Sequence, residues 1–187
     1  MAWPDTSHGK LWGQKLLITG EVRTGKTRMT RNILEITVAV KPGEITVIDM
    51  APRAVTVNGI AVGGTLMREG EFDVRLLRSE PIMTPRLSAR TGAELFELAE
   101  INLHAIQGLL DAFRADPSRI LFVNDVSIYL QQGALSCLWS VFVLAETVVA
   151  NGYMGDCLHE DLGTGISSRE RRRMEALALM MDRVIRL

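Results

Sequence analysis

Short apolar runs recur along the chain, and most of them are closed by a glycine, an acid or an amide. Runs of this kind are typical of strands that are buried on both faces of a parallel sheet. We predict strands of this kind at 15–19, 45–50, 120–125, 146–153 and 182–187, and a further strand candidate at 72–79.

Helical patterns separate these runs, at 26–38, 91–114, 135–145 and 168–181. Thr91 stands three residues before Glu94, which fits a capping box at a helix start. Ser167 and Glu170 have the same spacing and predict a second box. Strands that alternate with helices predict a doubly wound α/β fold with a mostly parallel sheet. We treat residues 1–187 as a single domain of this class.

Two segments interrupt the alternation. Asn58 and Gly59 lie between alternating apolar and polar residues, which is the signature of a β-hairpin, so we predict a small antiparallel insertion at 53–79. Residues 80–92 read as a long loop that contains Arg86 and Arg90. Because long loops in compact domains are often functional, this loop is a candidate site for an acceptor or a partner.

Composition narrows the class of protein. The chain has 187 residues, of which 47% are hydrophobic and 23% charged, as in a globular domain with a core. Its formal net charge of −1 gives no support for nucleic acid binding. The apolar runs are shorter than the roughly 20 residues that span a bilayer, and the first ten residues lack a secretory signal. With two cysteines and no CxxC pattern, we expect a cytoplasmic protein without membrane association.

The segment 20–27 carries the clearest chemistry. It reads GEVRTGKT and fits G-x-x-x-x-G-K-[ST] without a gap. The glycines permit backbone angles that turn N–H groups toward phosphate oxygens, and the helix start that follows favours anions. We therefore assign nucleotide binding to the whole loop, which consists of Gly20, Glu21, Val22, Arg23, Thr24, Gly25, Lys26 and Thr27.

This motif, between a predicted strand and a predicted helix, resembles the phosphate loop of the P-loop NTPase superfamily. The resemblance implies a P-loop type of fold and implies ATP, or another nucleoside triphosphate, with Mg²⁺ as ligands. Lys26 would then reach the β and γ phosphates, and the Thr27 hydroxyl would coordinate Mg²⁺. Arg23 either lies over the phosphates, meets a partner or is solvated.

A magnesium site also needs a carboxylate, because Mg²⁺ is a hard cation that takes oxygen ligands. Asp125 follows four apolar residues and should emerge at the carboxyl end of a central strand, where ligands of open α/β sheets bind. It resembles the second motif of the superfamily. Asp49, in VIDMAPRA, is a second candidate ligand and looks like the acid of the partitioning and metal-chaperone ATPases. The extra lysine that this branch carries early in its loop is missing here.

A late segment, ISSRERRRM, supplies arginines whose planar guanidinium groups can stabilise the charge of a transferring phosphoryl group. We choose Arg171 as the catalytic arginine, alongside Lys26 and Asp125. The alternative is a solvated helix whose acids balance the charge. The preceding loop groups Cys157, His159, Glu160 and Asp161 at a spacing that fits no familiar metal site.

Three functions stay open at this point. The first is a slow NTPase or switch that binds ATP and Mg²⁺. The second is a kinase or transferase with a small metabolite as acceptor, since Val126 follows Asp125 where many hydrolytic relatives place a water-orienting glutamate. The third is a non-catalytic module in which the nucleotide controls a protein partner. The segments TVVANGY and DRVIRL are loosely similar to those of corrinoid adenosyltransferases and small nucleoside triphosphatases, which transfers no acceptor residue.

Overall fold

The computed structural model of the chain describes residues 11–57 and 60–187. The strands in this part of the chain are β1 (Lys15–Gly20), β2 (Ile45–Asp49), β3 (Val55–Val57), β4 (Ile60–Val62), β5 (Arg75–Arg78), β6 (Ile120–Asn124), β7 (Thr147–Tyr153) and β8 (Arg183–Arg186). The helices are α1 (Lys26–Val40), α2 (Pro85–Ser88), α3 (Gly92–Ala115), α4 (Val126–Leu130), α5 (Leu135–Phe142) and α6 (Ile166–Met180).

Six strands form one sheet in the order β5-β2-β6-β7-β1-β8, and every neighbouring pair runs parallel. The predicted fold class is therefore confirmed. The register places Asp49 opposite Asn124, and Gly20 opposite Tyr153. The carboxyl ends of the four inner strands thus lie along one edge of the sheet, where the sequence predicts the site.

Helices cover both faces of this sheet, which explains why its strands read as continuous apolar runs. Leu16 and Ile18 face one side with Leu34 of α1. Leu17 faces the other side with Phe113 of α3. Successive residues of a strand point to opposite faces, and all five of these side chains are at most 3% exposed. None of the helices in the described residues is long and apolar enough to cross a membrane.

The predicted insertion contains a short antiparallel pair. Val55 of β3 lies opposite Val62 of β4. The turn at Asn58 and Gly59 lies outside the described residues. β5, which the sequence places within 53–79, is instead an edge strand of the main sheet beside β2, so the division into insertion and domain stays a prediction.

The predicted loop at 80–92 contains the short helix α2 and is fixed by α3. Asn102 of α3 is fully buried, and its side chain accepts from the N–H of Met83 at 2.7 Å and donates to the Met83 carbonyl at 3.0 Å. These two bonds replace the partners that the Met83 backbone would find in a strand. They hold the segment from which α2 starts.

Of the two predicted capping boxes, the first forms its Thr91 cap, but its Glu94 carboxylate accepts from the N–H of Arg90 at 2.7 Å and not from that of Thr91. At the start of α3, Thr91 Oγ1 accepts from the N–H of Glu94 at 3.1 Å. The second box is wrong. α6 begins at Ile166 after Gly165, one residue before the predicted Ser167 cap. The predicted partner, Glu170, is drawn into a buried ion pair described below, because its carboxylate has a guanidinium partner elsewhere in the fold.

Replacing Asn102 should destabilise the protein through the loop at 80–84. Asn102→Ala leaves both polar groups of Met83 without their partner, which we expect to lower the free energy of unfolding by about 2 kcal/mol. Urea denaturation measures this change. Glu97→Ala, at an exposed position of the same helix, is the control and should change stability by less than about 0.5 kcal/mol. Equal effects of the two substitutions would contradict the assignment.

Candidate functional site

A cavity of about 500 Å³ lies along the carboxyl edge of the sheet. This volume is in the range of sites that bind small molecules. Its wall is formed by the residues Val22, Arg23, Gly25, Lys26, Thr27, Arg28, Ala51, Pro52, Ala54, Thr56, Gly63, Gly64, Thr84, Pro85, Arg86, Leu87, Asp125, Ser127, Ile128, Gln131, Asn151, Tyr153 and Leu158.

The loop between β1 and α1 has the curved backbone that its glycines predict. Arg23 and Gly25 have φ angles of 61° and 95°, in the left-handed region. A Cβ atom on Gly20 would lie 2.5 Å from the carbonyl oxygen of Leu187, so a side chain does not fit there. α1 begins after Gly25 without a side-chain cap, which leaves the N–H groups of its first turn, at the cavity wall, without intrahelical partners.

Lys26 folds back over this loop. Its Nζ donates to the carbonyl oxygens of Gly20 at 3.0 Å and Glu21 at 2.6 Å. The ammonium also lies 5.9 Å from the centre of the Tyr153 ring. Burial lowers the pKa of Lys26, while the negative charges of Asp125 and Glu21 raise it. The lysine is therefore half-buried within the site and not a solvated side chain.

Asp125 lies on the same cavity wall as Lys26 and Thr27. Its backbone is left-handed, with φ 60°, and its N–H donates to Asn151 Oδ1 at 3.1 Å. The Ser127 hydroxyl donates to its carboxylate. Burial raises the pKa of Asp125, and the bond from Ser127 and the charge of Lys26 lower it. The structure thus places Lys26, Thr27 and Asp125, three residues that the sequence singles out, on one cavity wall.

Asp49 has a different environment. It is completely buried, and its oxygens accept from Asn124 Nδ2 at 2.8 Å and from the N–H groups of Leu66 at 2.9 Å and Ala51 at 3.2 Å. Burial raises the pKa of Asp49, and these bonds lower it. Of the described residues, Asp49 is not among those that form the cavity wall. Its hydrogen bonds hold the segment that follows β2.

Two asparagines that the sequence analysis did not single out join these elements. Asn151 Nδ2 donates to Thr30 Oγ1 at 2.9 Å and to Asn124 Oδ1 at 3.0 Å. Asn124 in turn donates to Asp49. This chain of bonds, which we call the strand-end network, crosses the ends of β7, β6 and β2 and includes α1. The signal for it was present, since amides at the ends of buried strands need buried partners.

Glu21 connects the loop at 20–27 to the segment after β7. Its carboxylate accepts from its neighbour Val22 at 2.8 Å, from Asp156 N–H at 2.7 Å and from Cys157 N–H at 3.0 Å. Burial raises the pKa of Glu21, but these backbone donors prevail and lower it to about 2. Gly155 makes room, since a Cβ atom there would lie 2.3 Å from Glu21 Oε2.

The arginines of α6 are placed away from the main cavity. Arg171 donates to the Gly155 carbonyl at 2.7 Å and pairs with Asp156. It lines a second cavity of about 390 Å³. Arg169 donates to Gln132 and Arg173 donates to the Leu130 carbonyl. Among the residues that the structure describes, none of the arginines at 169–173 forms part of the first cavity wall.

Arg86, from α2, is the arginine that reaches the site from the 80–92 loop. Its side chain is 7% exposed and pairs with Glu170, itself 3% exposed, at 3.0 Å. It also donates to the Leu158 carbonyl at 2.9 Å, and its guanidinium lies 5.3 Å from the centre of the Tyr153 ring. Tyr153 therefore lies beside two of the basic residues of the cavity wall, Arg86 and Lys26.

Burial raises the pKa of Glu170 to about 7. The charge of Asp125 also raises this pKa, and Arg86 and Gln131 oppose the shift. Gln131 contributes a bond from its Nε2 to Glu170 Oε2 at 3.0 Å.

Within residues 11–57 and 60–187, no group of three or more His, Cys, Asp and Glu side chains is close enough to hold a metal ion. Cys157, His159 and Glu160 are exposed, and Asp161 is half-buried. Any metal at the main cavity would therefore take further ligands from water or from a bound phosphate.

Likenesses to known proteins are found among solved structures only. No family model matches the chain, and no curated protein matches it. Among solved structures, it is similar to the Pif1 helicase from Candida albicans, with 15% sequence identity and a TM-score of 0.40. The match covers 94% of this chain and 36% of that one, so this chain spans about a third of the helicase. A likeness of this size carries no argument about activity.

The pKa of Glu170 predicts an unusual dependence of stability on pH. Because its pKa is higher in the folded protein, about 7, than its ordinary 4.5, its contribution is complete below about pH 4.5 and is lost as pH rises through 7. We expect the free energy of unfolding to fall between pH 5 and 7.5, by on the order of 1 to 3 kcal/mol from this group. Urea titrations at both pH values measure it.

Glu170→Gln should reduce this dependence, because the amide keeps hydrogen bonding without a titrating proton. Glu175→Gln, at an exposed position of the same helix, should leave the dependence unchanged. The same slope in the wild type and in Glu170→Gln would contradict the raised pKa.

Proposed function

We propose that this protein binds a nucleoside triphosphate with Mg²⁺ at the loop formed by residues 20–27 and hydrolyses it slowly. One observation carries the proposal: Lys26, Thr27 and Asp125 meet at one wall of a cavity, beside the uncapped start of α1. Backbone N–H groups at a helix start favour anions. The positive charge of Lys26 beside them would attract the phosphate further.

The Lys26 ammonium is positioned to exchange partners. It is held by two backbone carbonyls, which are neutral acceptors. Bonds between an ammonium and a charged phosphate oxygen are about twice as strong as neutral ones. A terminal phosphate would therefore displace the carbonyls of Gly20 and Glu21, and the loop is already curved to receive it.

The residues present also fit Mg²⁺. Thr27 offers a hydroxyl and Asp125 a carboxylate at the same wall, and both are the hard oxygen donors that this ion prefers. When bound, Mg²⁺ would neutralise part of the phosphate charge. Asp49, the other candidate from the sequence, already accepts three internal hydrogen bonds, so we assign it to the support of the site.

The charge-stabilising arginine is proposed at Arg86 in place of the sequence choice, Arg171. Arg86 lines the cavity with Asp125, and its charge lowers the pKa of that carboxyl group. Arg171 is paired with Asp156 at the second cavity. The assignment agrees with the sequence analysis in one respect, since the 80–92 loop was a candidate binding segment.

Slow turnover is proposed because the site offers few groups to orient water. Among the described residues of the cavity wall, Asp125 is the one carboxylate, and it faces Lys26. The buried Glu170 nearby is held by Arg86 and Gln131. Hydrolysis would then depend on positioning and charge stabilisation, which can support phosphoryl transfer without a strong base.

Lys26→Ala should weaken nucleotide binding by roughly ten- to a hundredfold, because a charged hydrogen bond contributes about 1.5–3 kcal/mol. Titration with a fluorescent ATP analogue and Mg²⁺ measures the affinity. Lys41→Ala, at the other end of α1, is the matched control and should bind as the wild type does. If both variants bind equally well, the phosphate does not lie at this loop.

A paired substitution tests Arg86 without leaving a buried charge alone. Arg86→Gln combined with Glu170→Gln keeps neutral hydrogen-bonding groups and should lower phosphate release by about a hundredfold, with nucleotide binding reduced less. Arg171→Ala should retain turnover within a few-fold. The opposite ranking would assign charge stabilisation to Arg171.

Tight nucleotide binding without phosphate release in the wild type would favour a non-catalytic module.

A further inference from the structure

We infer that the part of the cavity beyond the terminal phosphate binds a second ligand, a small neutral organic molecule with a hydroxyl group. This inference rests on the proposed nucleotide site and adds to it the chemical class of a companion ligand. It comes from the extent of the cavity, the composition of its far wall, the charges there and one buried amide.

The cavity is longer than the phosphate loop alone requires. It extends from the loop after β1 to Ala51 and Pro52, which follow β2. β7 and β6 lie between β1 and β2, so with strands about 4.8 Å apart the two ends are separated by roughly 14 Å. Lys26 belongs to the end at the loop after β1, and Asp125, which follows β6, lies between the two ends. Lys26 would contact the terminal phosphates of the nucleotide. The part of the cavity near β2 would therefore lie next to the terminal phosphate.

The far wall has an apolar part. It is formed by segments that follow β2 and β6 and by α2, with the apolar residues Ala51, Pro52, Ala54, Pro85, Leu87 and Ile128. Carbon-rich walls favour the carbon body of a ligand, because both surfaces leave water when it binds.

The charges at this end favour a neutral ligand. Arg86 already bonds Glu170 and the Leu158 carbonyl, and the proposed terminal phosphate would take its remaining donors, so it has little capacity left for a second anion. A bound triphosphate would also repel an anion. The proposed Mg²⁺ would occupy Asp125, and the nearby cations Lys26 and Arg86 disfavour a further cation.

Gln131 supplies the preference for a hydroxyl group. Its Nε2 donates to Glu170, which fixes the orientation of the amide. Its Oε1 is buried without a hydrogen-bond partner, the residue is 1% exposed, and Gln131 is among the residues that form the cavity wall, so a small shift of this wall would bring the oxygen within reach of a ligand. A buried acceptor without a partner costs about 1–3 kcal/mol. A ligand that brings a hydrogen-bond donor would therefore recover free energy that a ligand without one would not.

A series of six-membered rings separates these properties. Cyclohexanol, cyclohexanone, cyclohexylammonium and cyclohexanecarboxylate share one apolar body and differ in donor and charge. Saturation-transfer NMR would compare them on the protein bound to a non-hydrolysable ATP analogue and Mg²⁺. We expect cyclohexanol to bind at least fivefold more tightly than each of the other three. Equal binding of the alcohol and the ketone, or tighter binding of a charged member, would overturn the inference.

A substitution at the far wall locates the binding. Ile128→Trp should fill this part of the cavity and weaken cyclohexanol binding at least tenfold, with nucleotide affinity within twofold of the wild type. Ile101→Trp, at an exposed position of α3, is the control and should change neither. Unchanged cyclohexanol binding in Ile128→Trp would show that the alcohol binds elsewhere.

The nucleotide titration separates the two proposals. If the nucleotide binds and none of the four ring compounds does, the second ligand is wrong and the proposed function stands. A buried water at Gln131 would then explain the unpaired oxygen. If the nucleotide itself does not bind, both proposals fall.

Discussion

The candidate site depends on a buried chain of side-chain hydrogen bonds across the ends of three parallel strands. Each member of the strand-end network bonds to the next, from Thr30 through Asn151 and Asn124 to Asp49. Buried polar groups are stabilising only when they are paired, so each residue fixes the orientation of its neighbour. Because Asn151 also accepts from the N–H of Asp125, the network holds the carboxylate that faces Lys26.

A second buried contact connects this edge of the sheet with the last helix. Arg86 and Glu170 come from segments more than eighty residues apart and pair at 3.0 Å with almost no exposure. A buried ion pair is weak evidence for stability, because desolvation offsets much of its attraction. Its effect here is on position: it holds a guanidinium beside Tyr153 and Asp125, where the cation also influences the pKa of the carboxyl group. The pair therefore matters more for the chemistry of the cavity than for the fold.

Much of the fold could be predicted from the sequence, and less of the site. Buried parallel strands leave a direct signal, because both faces must be apolar, and this placed Asp125 at the edge of the sheet. Side-chain pairing between distant segments leaves no such signal in the sequence. Glu170 has the spacing of a helix cap, yet its carboxylate pairs with the distant guanidinium of Arg86. The sequence analysis chose Arg171 as the charge-stabilising group and treated the loop with Arg86 as a site for an acceptor or a partner, because the sequence does not show which segment folds over the cavity. Asn151 was visible at a strand end, but its partners are set by register.

The internal bonds of the site indicate how a ligand would be received. Lys26 is held by backbone carbonyls and Glu21 by backbone N–H groups, so the loop is ordered by contacts of its own. A phosphate would replace the carbonyl partners of Lys26. The bonds of the Glu21 carboxylate would stay in place, because they are made to the N–H groups of Asp156 and Cys157. Binding would then be an exchange of hydrogen bonds within a loop already folded, with little ordering of the backbone to offset the gain. Gln131 differs, because its oxygen has no internal bond to give up, and a donor arriving there would add a contact without replacing one.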